Sequence, residues 1–176
     1  MKIHLLIISG LLMACSNQKM DVEKQTINQL QSQYDSLLLV TEAIDIRSAS
    51  NNLKKYKEAI ELAREKIDGS KKPSLETMNF VNNLKLTRRP FKNAAATKKS
   101  LASSIIENKK QLQNLYNDLK QSVFSEQELS NILEQEKTLL QENIQKVTDF
   151  KETYQQSEWR FDSLYQLSKT YQFNSQ

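Results

Sequence analysis

Apolar residues recur every three and four positions along almost the whole chain, and little interrupts them: its 176 residues include two glycines and two prolines. Such spacing lays one apolar stripe along an α-helix. Ile27, Leu30, Tyr34, Leu37, Thr41 and Ile44 form a first run, and Ile46, Ala49, Leu53, Tyr56, Ile60, Ala63 and Ile67 a second. The two are out of phase beside Ser48, Ser50, Asn51 and Asn52, so a stutter or a break is expected at 48–52. Gly69 reads as the residue just past a helix end, with Arg64 and Lys66 in the last turn and Pro73 beyond.

Ser74 can cap the next helix, which meets Pro90 directly after Arg88-Arg89. Proline removes one backbone donor and clashes with the preceding turn, so a kink or restart is expected there. From Phe91 the seam continues through Ala94, Lys98, Leu101, Ile105, Asn108, Leu112, Leu115 and Leu119, with Lys98 and Asn108 as polar intrusions. A buried Asn in such a seam can fix register, and the same residue at a bundle edge does nothing special. Ser125-Glu126-Gln127-Glu128 is a capping box, with Phe124 and Leu129 as its hydrophobic staple. The helix that follows repeats Leu133, Leu140, Val147, Tyr154 and Phe161 every seven residues, with Leu129, Phe150 and Leu164 on the adjoining seam.

The pattern predicts an all-α fold: an elongated antiparallel bundle of about three long helices within a domain at 19–171. Its arms lie at 19–68, 74–122 (kinked or broken at Pro90) and 126–171, with 172–176 frayed. Arms of about 48 residues reach roughly 70 Å if straight. The competing geometry is an open hairpin that completes its core by dimerising.

The first fifteen residues are of another kind. Lys2 is followed by an apolar stretch from Ile3 to Met13 and then by Leu12-Met13-Ala14-Cys15. The 13 residues from Ile3 to Cys15 span only about 20 Å as a helix, short of the ~30 Å hydrocarbon core of a bilayer. The order of parts matches an export signal. Leu12-Met13-Ala14-Cys15 resembles the lipobox of bacterial lipoproteins, and the Asn-, Gln-, Lys- and Ile-rich remainder resembles small coiled-coil lipoproteins of Bacteroidota. The resemblance implies a signal peptide at 1–14, a diacylglyceryl group on the thiol of Cys15, a short linker at 15–18 and stable anchoring through several acyl chains. Ser16 after the cysteine implies the outer membrane, and Ser16-Asn17-Gln18-Lys19 lacks the acidic cluster of surface-displayed relatives. The expected address is therefore the periplasmic face of the outer membrane.

Cleavage at Cys15 would remove the chain's one histidine, His4, and leave one glycine and no free cysteine. Triads, Cys-His pairs, His-bearing metal sites and Gly-rich phosphate loops then have no residues to build them. Glu126/Glu128 and Glu134/Glu136 stand two apart on different helix faces and make no acid–base pair. The expectation is a protein that is not an enzyme, with no cofactor, no metal and no nucleic-acid partner.

What remains is charge and aromatic placement. Residues 15–176 carry 24 basic and 21 acidic side chains, unevenly: −2 over 15–49, +9 over 50–110 and −4 over 111–176. Antiparallel packing of outer faces consumes some of this, and solvated surface charge signifies little. Lys71, Lys72, Lys85, Arg88, Arg89, Lys92, Lys98 and Lys99 have few acids among them, so an anionic contact is the sharper expectation there. Trp159 stands five residues after Tyr154, opposite the seam, and Phe173 lies 14 further on that side. Tryptophan is enriched at interface anchors, so this face is expected to dock a protein partner, a second copy, or the folded-back 50–88 segment. Two functional readings follow: a membrane-anchored structural or protein-interaction lipoprotein, and a chaperone-like or polyanion-binding module using the basic 54–110 segment.

Overall fold

The computed structural model describes residues 3–65, 73–121 and 124–170, with only the helical course given for 3–20. It is all α: α1 (Ile3–Ala43), α2 (Ser48–Glu65), α3 (Leu75–Lys120) and α4 (Glu126–Thr170). Among the described residues there is no β-strand, and no helix is long and apolar enough to cross a membrane. Gly69, Ile67, Lys71, Lys72, Phe173 and the side chain of Cys15 lie outside the described residues.

The break in the first arm is real and falls at residues 44–47, just before the Ser/Asn run in which sequence placed it. At this corner the Asp45 carboxylate accepts from the Arg47 backbone N–H at 2.9 Å and from its guanidinium Nε at 2.9 Å. Those hydrogen bonds hold the Asp45 carboxyl down at about 2. α2 then starts at Ser48, and the Asn51-Asn52 pair belongs to its first turns, Asn52 buried.

α3 runs unbroken through Pro90, so of the kink or restart expected there no restart occurs. The ring deprives the Leu86 carbonyl of its helical donor, but Leu84, Thr87, Phe91 and Ala94 on both sides of it are all buried, and that packing carries the helix across the gap. Both anticipated caps form. Ser74 Oγ accepts the Thr77 N–H at 3.2 Å; Ser125 Oγ accepts the Glu128 N–H at 3.4 Å while Glu128 accepts the Ser125 N–H at 2.9 Å.

The helices group into two compact units. The first combines α1 up to Thr41 with residues Ala102–Gln145 of α3 and α4. Gln31 bonds Gln113 at 3.3 Å and Asp35 pairs with Lys109, so rising numbers on α1 meet falling numbers on α3 and the two are antiparallel. Ile27, Leu30, Tyr34 and Leu37 from α1, Ile105, Leu112, Leu115 and Leu119 from α3, and Leu129, Leu133 and Leu140 from α4 are buried, as the seams predict.

The second unit combines Glu42–Leu101 with α4 from Lys146. Ser48 reaches the Tyr154 hydroxyl at 2.8 Å and Glu58 accepts from the Tyr165 hydroxyl at 3.0 Å, so α2 and α4 run parallel. Its core is aromatic: Phe91 meets Tyr154 and Phe161 edge-on with centroids 5.9 and 5.5 Å apart, and Phe161 stacks on Tyr165 at 5.8 Å. Ala49, Ala59 and Ala63 on α2 are small enough to leave room for these rings.

Candidate functional site

Between Thr77 and Ile106 the chain carries six basic and no acidic residues. On α3, Lys85, Arg89, Lys92 and Lys99 follow one another at steps of four, three and seven, which puts them on one face. All four are exposed, as is Arg88, whose guanidinium lies over the Tyr56 ring at 5.8 Å.

Lys98 does something else. Its ammonium donates to the backbone carbonyls of Glu42 and Ile44, both at 2.7 Å, at the end of α1. No basic residue stands in the last turn of α1 itself, so α3 supplies the positive charge that a helix C-terminus attracts. The polar intrusion on the seam is thus a cap, and Lys98, one of the expected anionic-contact residues, is turned to structural use. Arg88, Arg89, Lys92 and Lys99 remain on the surface.

Trp159 is 76 % exposed and Leu86 62 %. Together with Thr87, Pro90 and Arg160 they line a shallow depression of about 380 Å³ in the second unit. Pro90 and Thr153 also border an adjoining groove of about 490 Å³, to which Arg89 and Asn93 contribute from α3 and Phe150 and Asp149 from α4. No described segment covers Trp159, so the described parts of the 50–88 segment, 50–65 and 73–88, do not fold over it. The surface sets an uncovered indole beside Arg160, with Arg89 and Asp149 on the adjoining groove.

A polar cluster in the first unit was only half legible. Tyr34 is fully buried and its hydroxyl makes no hydrogen bond of ordinary geometry. Burial pushes its pKa up, an effect increased by the Glu136 carboxylate and opposed by the nearby amides of Asn108 and Asn143. Asn143 donates to the Leu139 carbonyl at 2.7 Å and lies 3.4 Å from the Ser104 hydroxyl. Asn108 was read as a seam intrusion; Asn143, three residues after Leu140 and four before Val147, sits on the α4 seam and the same reasoning finds it.

Glu136 has one carboxylate oxygen buried without a partner, and desolvation raises its pKa above 4.5. A carboxyl whose folded pKa is raised favours the fold while protonated, and that contribution is lost as pH rises through the folded value. Glu136→Gln is therefore expected to raise Tm at pH 7, with the gain shrinking as pH falls into the ordinary carboxylate range. Thermal melts of both chains across that range check it.

Among the described residues no group of three or more His, Cys, Asp and Glu side chains could hold a metal ion. Comparison with protein-family models, curated proteins and solved structures found no match to the chain.

Proposed function

We propose that the protein is a lipid-anchored envelope lipoprotein acting as a non-catalytic docking module, tethered through Cys15 and recognising a protein through the α3/α4 surface around Trp159. The observation that carries the docking half is the exposure of Trp159 at 76 % beside Leu86 at 62 %, since a monomer gains nothing by presenting two large apolar side chains together to water. The anchoring half rests on Leu12-Met13-Ala14-Cys15, whose thiol is the acceptor a lipobox requires.

Cys15→Ser is the test of anchoring. The substituted chain is expected to leave the membrane fraction entirely and to lose incorporation of labelled palmitate; retention with the membranes would overturn the anchor. For docking, tryptophan emission of the purified protein is expected to be red-shifted at nanomolar concentration, as an exposed indole requires. A blue shift that survives dilution would make Trp159 a core residue and end the docking reading.

The exposed row Lys85, Arg89, Lys92 and Lys99 favours a second reading, capture of acidic or polyanionic clients. Ionic strength separates the two, because charge-driven capture falls steeply with salt and apolar docking does not. Replacing Arg88, Arg89, Lys85 and Lys92 with Gln is expected to abolish retention on immobilised polyphosphate if that reading holds.

A further inference from the structure

The seams of the first unit repeat every seven residues on each of its helices. Ile27, Tyr34 and Thr41 stand seven apart on α1, Ile105, Leu112 and Leu119 on α3, and Leu129, Glu136 and Asn143 on α4 beside Leu133 and Leu140. Such a repeat leaves the pairing of helices underdetermined, because sliding one of them by seven residues, about 10 Å, returns its stripe to an apolar seam. Only the polar members differ between one register and the next. Asp35 pairs with Lys109 and Ser104 lies 3.4 Å from Asn143, which brings Tyr34 on α1, Asn108 on α3 and the stretch from Glu136 to Asn143 on α4 to one level. Tyr34 and Asn143 are buried, Asn108 is half-buried and Glu136 holds one buried carboxylate oxygen. The Tyr34 hydroxyl lies near both amides and the carboxylate. Among the described residues of this unit, every other buried side chain except Thr41 is apolar.

We propose that the layer of Tyr34, Asn108, Glu136 and Asn143 sets the register of α1 against α3 and α4. A slip of one heptad in one direction carries Tyr34 into the place of Ile27, at the level of Leu115, Leu119, Leu129 and Leu133, whose side chains offer its hydroxyl no partner. The opposite slip carries Ile27 into the place of Tyr34 and sets it against Asn108, Glu136 and Asn143. Either way polar groups are buried against hydrocarbon alone, which costs more than the imperfect hydrogen bonding of the native layer. The layer selects among registers and adds little stability of its own. The Tyr34 hydroxyl and one Glu136 oxygen lack partners of ordinary geometry, and apolar side chains of similar size in such places hold a fold at least as well. A single buried Asn fixes register in coiled coils by the same arithmetic.

Thiol crosslinking reads the register directly. In the full-length chain with Cys15→Ser, two introduced cysteines are the only thiols. Gln31→Cys with Gln113→Cys reports the native register, since those two side chains bond at 3.3 Å. Gln31→Cys with Ile106→Cys, or with Lys120→Cys, reports a slip of one heptad either way, at exposed positions on the same face of α3. A crosslinker shorter than about 10 Å, the span of one heptad, separates the three. With the layer intact, the 31/113 pair alone is expected to close. When the three chains also carry Tyr34→Phe, Asn108→Leu, Glu136→Leu and Asn143→Leu, closure of the slipped pairs is expected to rise about tenfold or more, the factor by which one unpaired buried polar group disfavours a register. Circular dichroism should show helicity kept and the denaturant midpoint unchanged or raised. A second set with Ala in place of the three leucines cannot overpack the seam and is expected to give the same crosslinks. Closure of the 31/113 pair alone, in either set that keeps its helicity, would overturn the proposal and leave the register to the chain connection at 44–47. Slipped closure in the unaltered layer would overturn it too. So would loss of helicity in both sets, because a layer that only chooses between registers is dispensable for the packing itself.

Discussion

Phe161→Ala is expected to cost about 3–5 kcal/mol, the usual range for removing a buried phenylalanine, and to lower Tm by on the order of 10 °C in a chain of this length. Phe161 is fully buried, edge-on to Phe91 and stacked on Tyr165. Removing it opens a void among rings held by three helices, and the neighbouring alanines Ala59 and Ala63 are too small to collapse into it. Phe161→Leu, which keeps most of the volume, is expected to cost less than half as much. Trp159→Ala is the internal control. Two residues away on the same helix, it should shift stability by no more than about 0.5 kcal/mol, as exposed positions do. Denaturant unfolding of the three chains followed by circular dichroism checks the order. Equal losses for Phe161→Ala and Trp159→Ala would place the indole in the core.

That contrast marks how far sequence reasoning reaches. Leu133, Leu140, Val147, Tyr154 and Phe161 stand seven apart, and all five are buried, because one apolar stripe per helix is what a bundle needs and the period is written in residue type. The capping serines were legible for the same reason, their partners lying three residues away. Phe80, Leu84, Thr77 and Thr87 were not assigned, since α3 before Pro90 alternates apolar side chains with Thr and Asn and its stripe is diluted. Lys98 was legible as an anomaly but not as a cap. Its partners are carbonyls at Glu42 and Ile44, more than fifty residues away, and backbone groups leave no mark on side-chain pattern.

Lys98→Met is the second substitution with a large expected effect. It keeps the side chain's length and apolar stem and removes the ammonium that closes the end of α1. Both carbonyls, at 2.7 Å, then lose a charged donor, and one of them is partly buried, so water replaces it incompletely. Hydrogen bonds to charged groups contribute about 1.5–3 kcal/mol, and the exposed member of this pair puts the expected loss near the lower end, about 1–2 kcal/mol. The pH dependence separates a cap from a simple ion pair with Asp45, whose carboxyl Lys98 also helps to hold down. Because that carboxyl sits at about 2, against 3.8 in its ordinary state, its favourable contribution is complete above pH 3.8 and fades only as pH falls toward 2. Backbone carbonyls do not titrate at all. The loss on Lys98→Met is therefore expected to persist in thermal melts as pH falls below 4, where a loss carried by the Asp45 carboxylate would shrink. It should also persist when Asp45 is replaced by Asn. A loss that disappears in the Asp45→Asn background would mean that Lys98 acts through the carboxylate and not through the helix end. The corner at 44–47 would then be held by the Asp45–Arg47 pair with Lys98 as its third member.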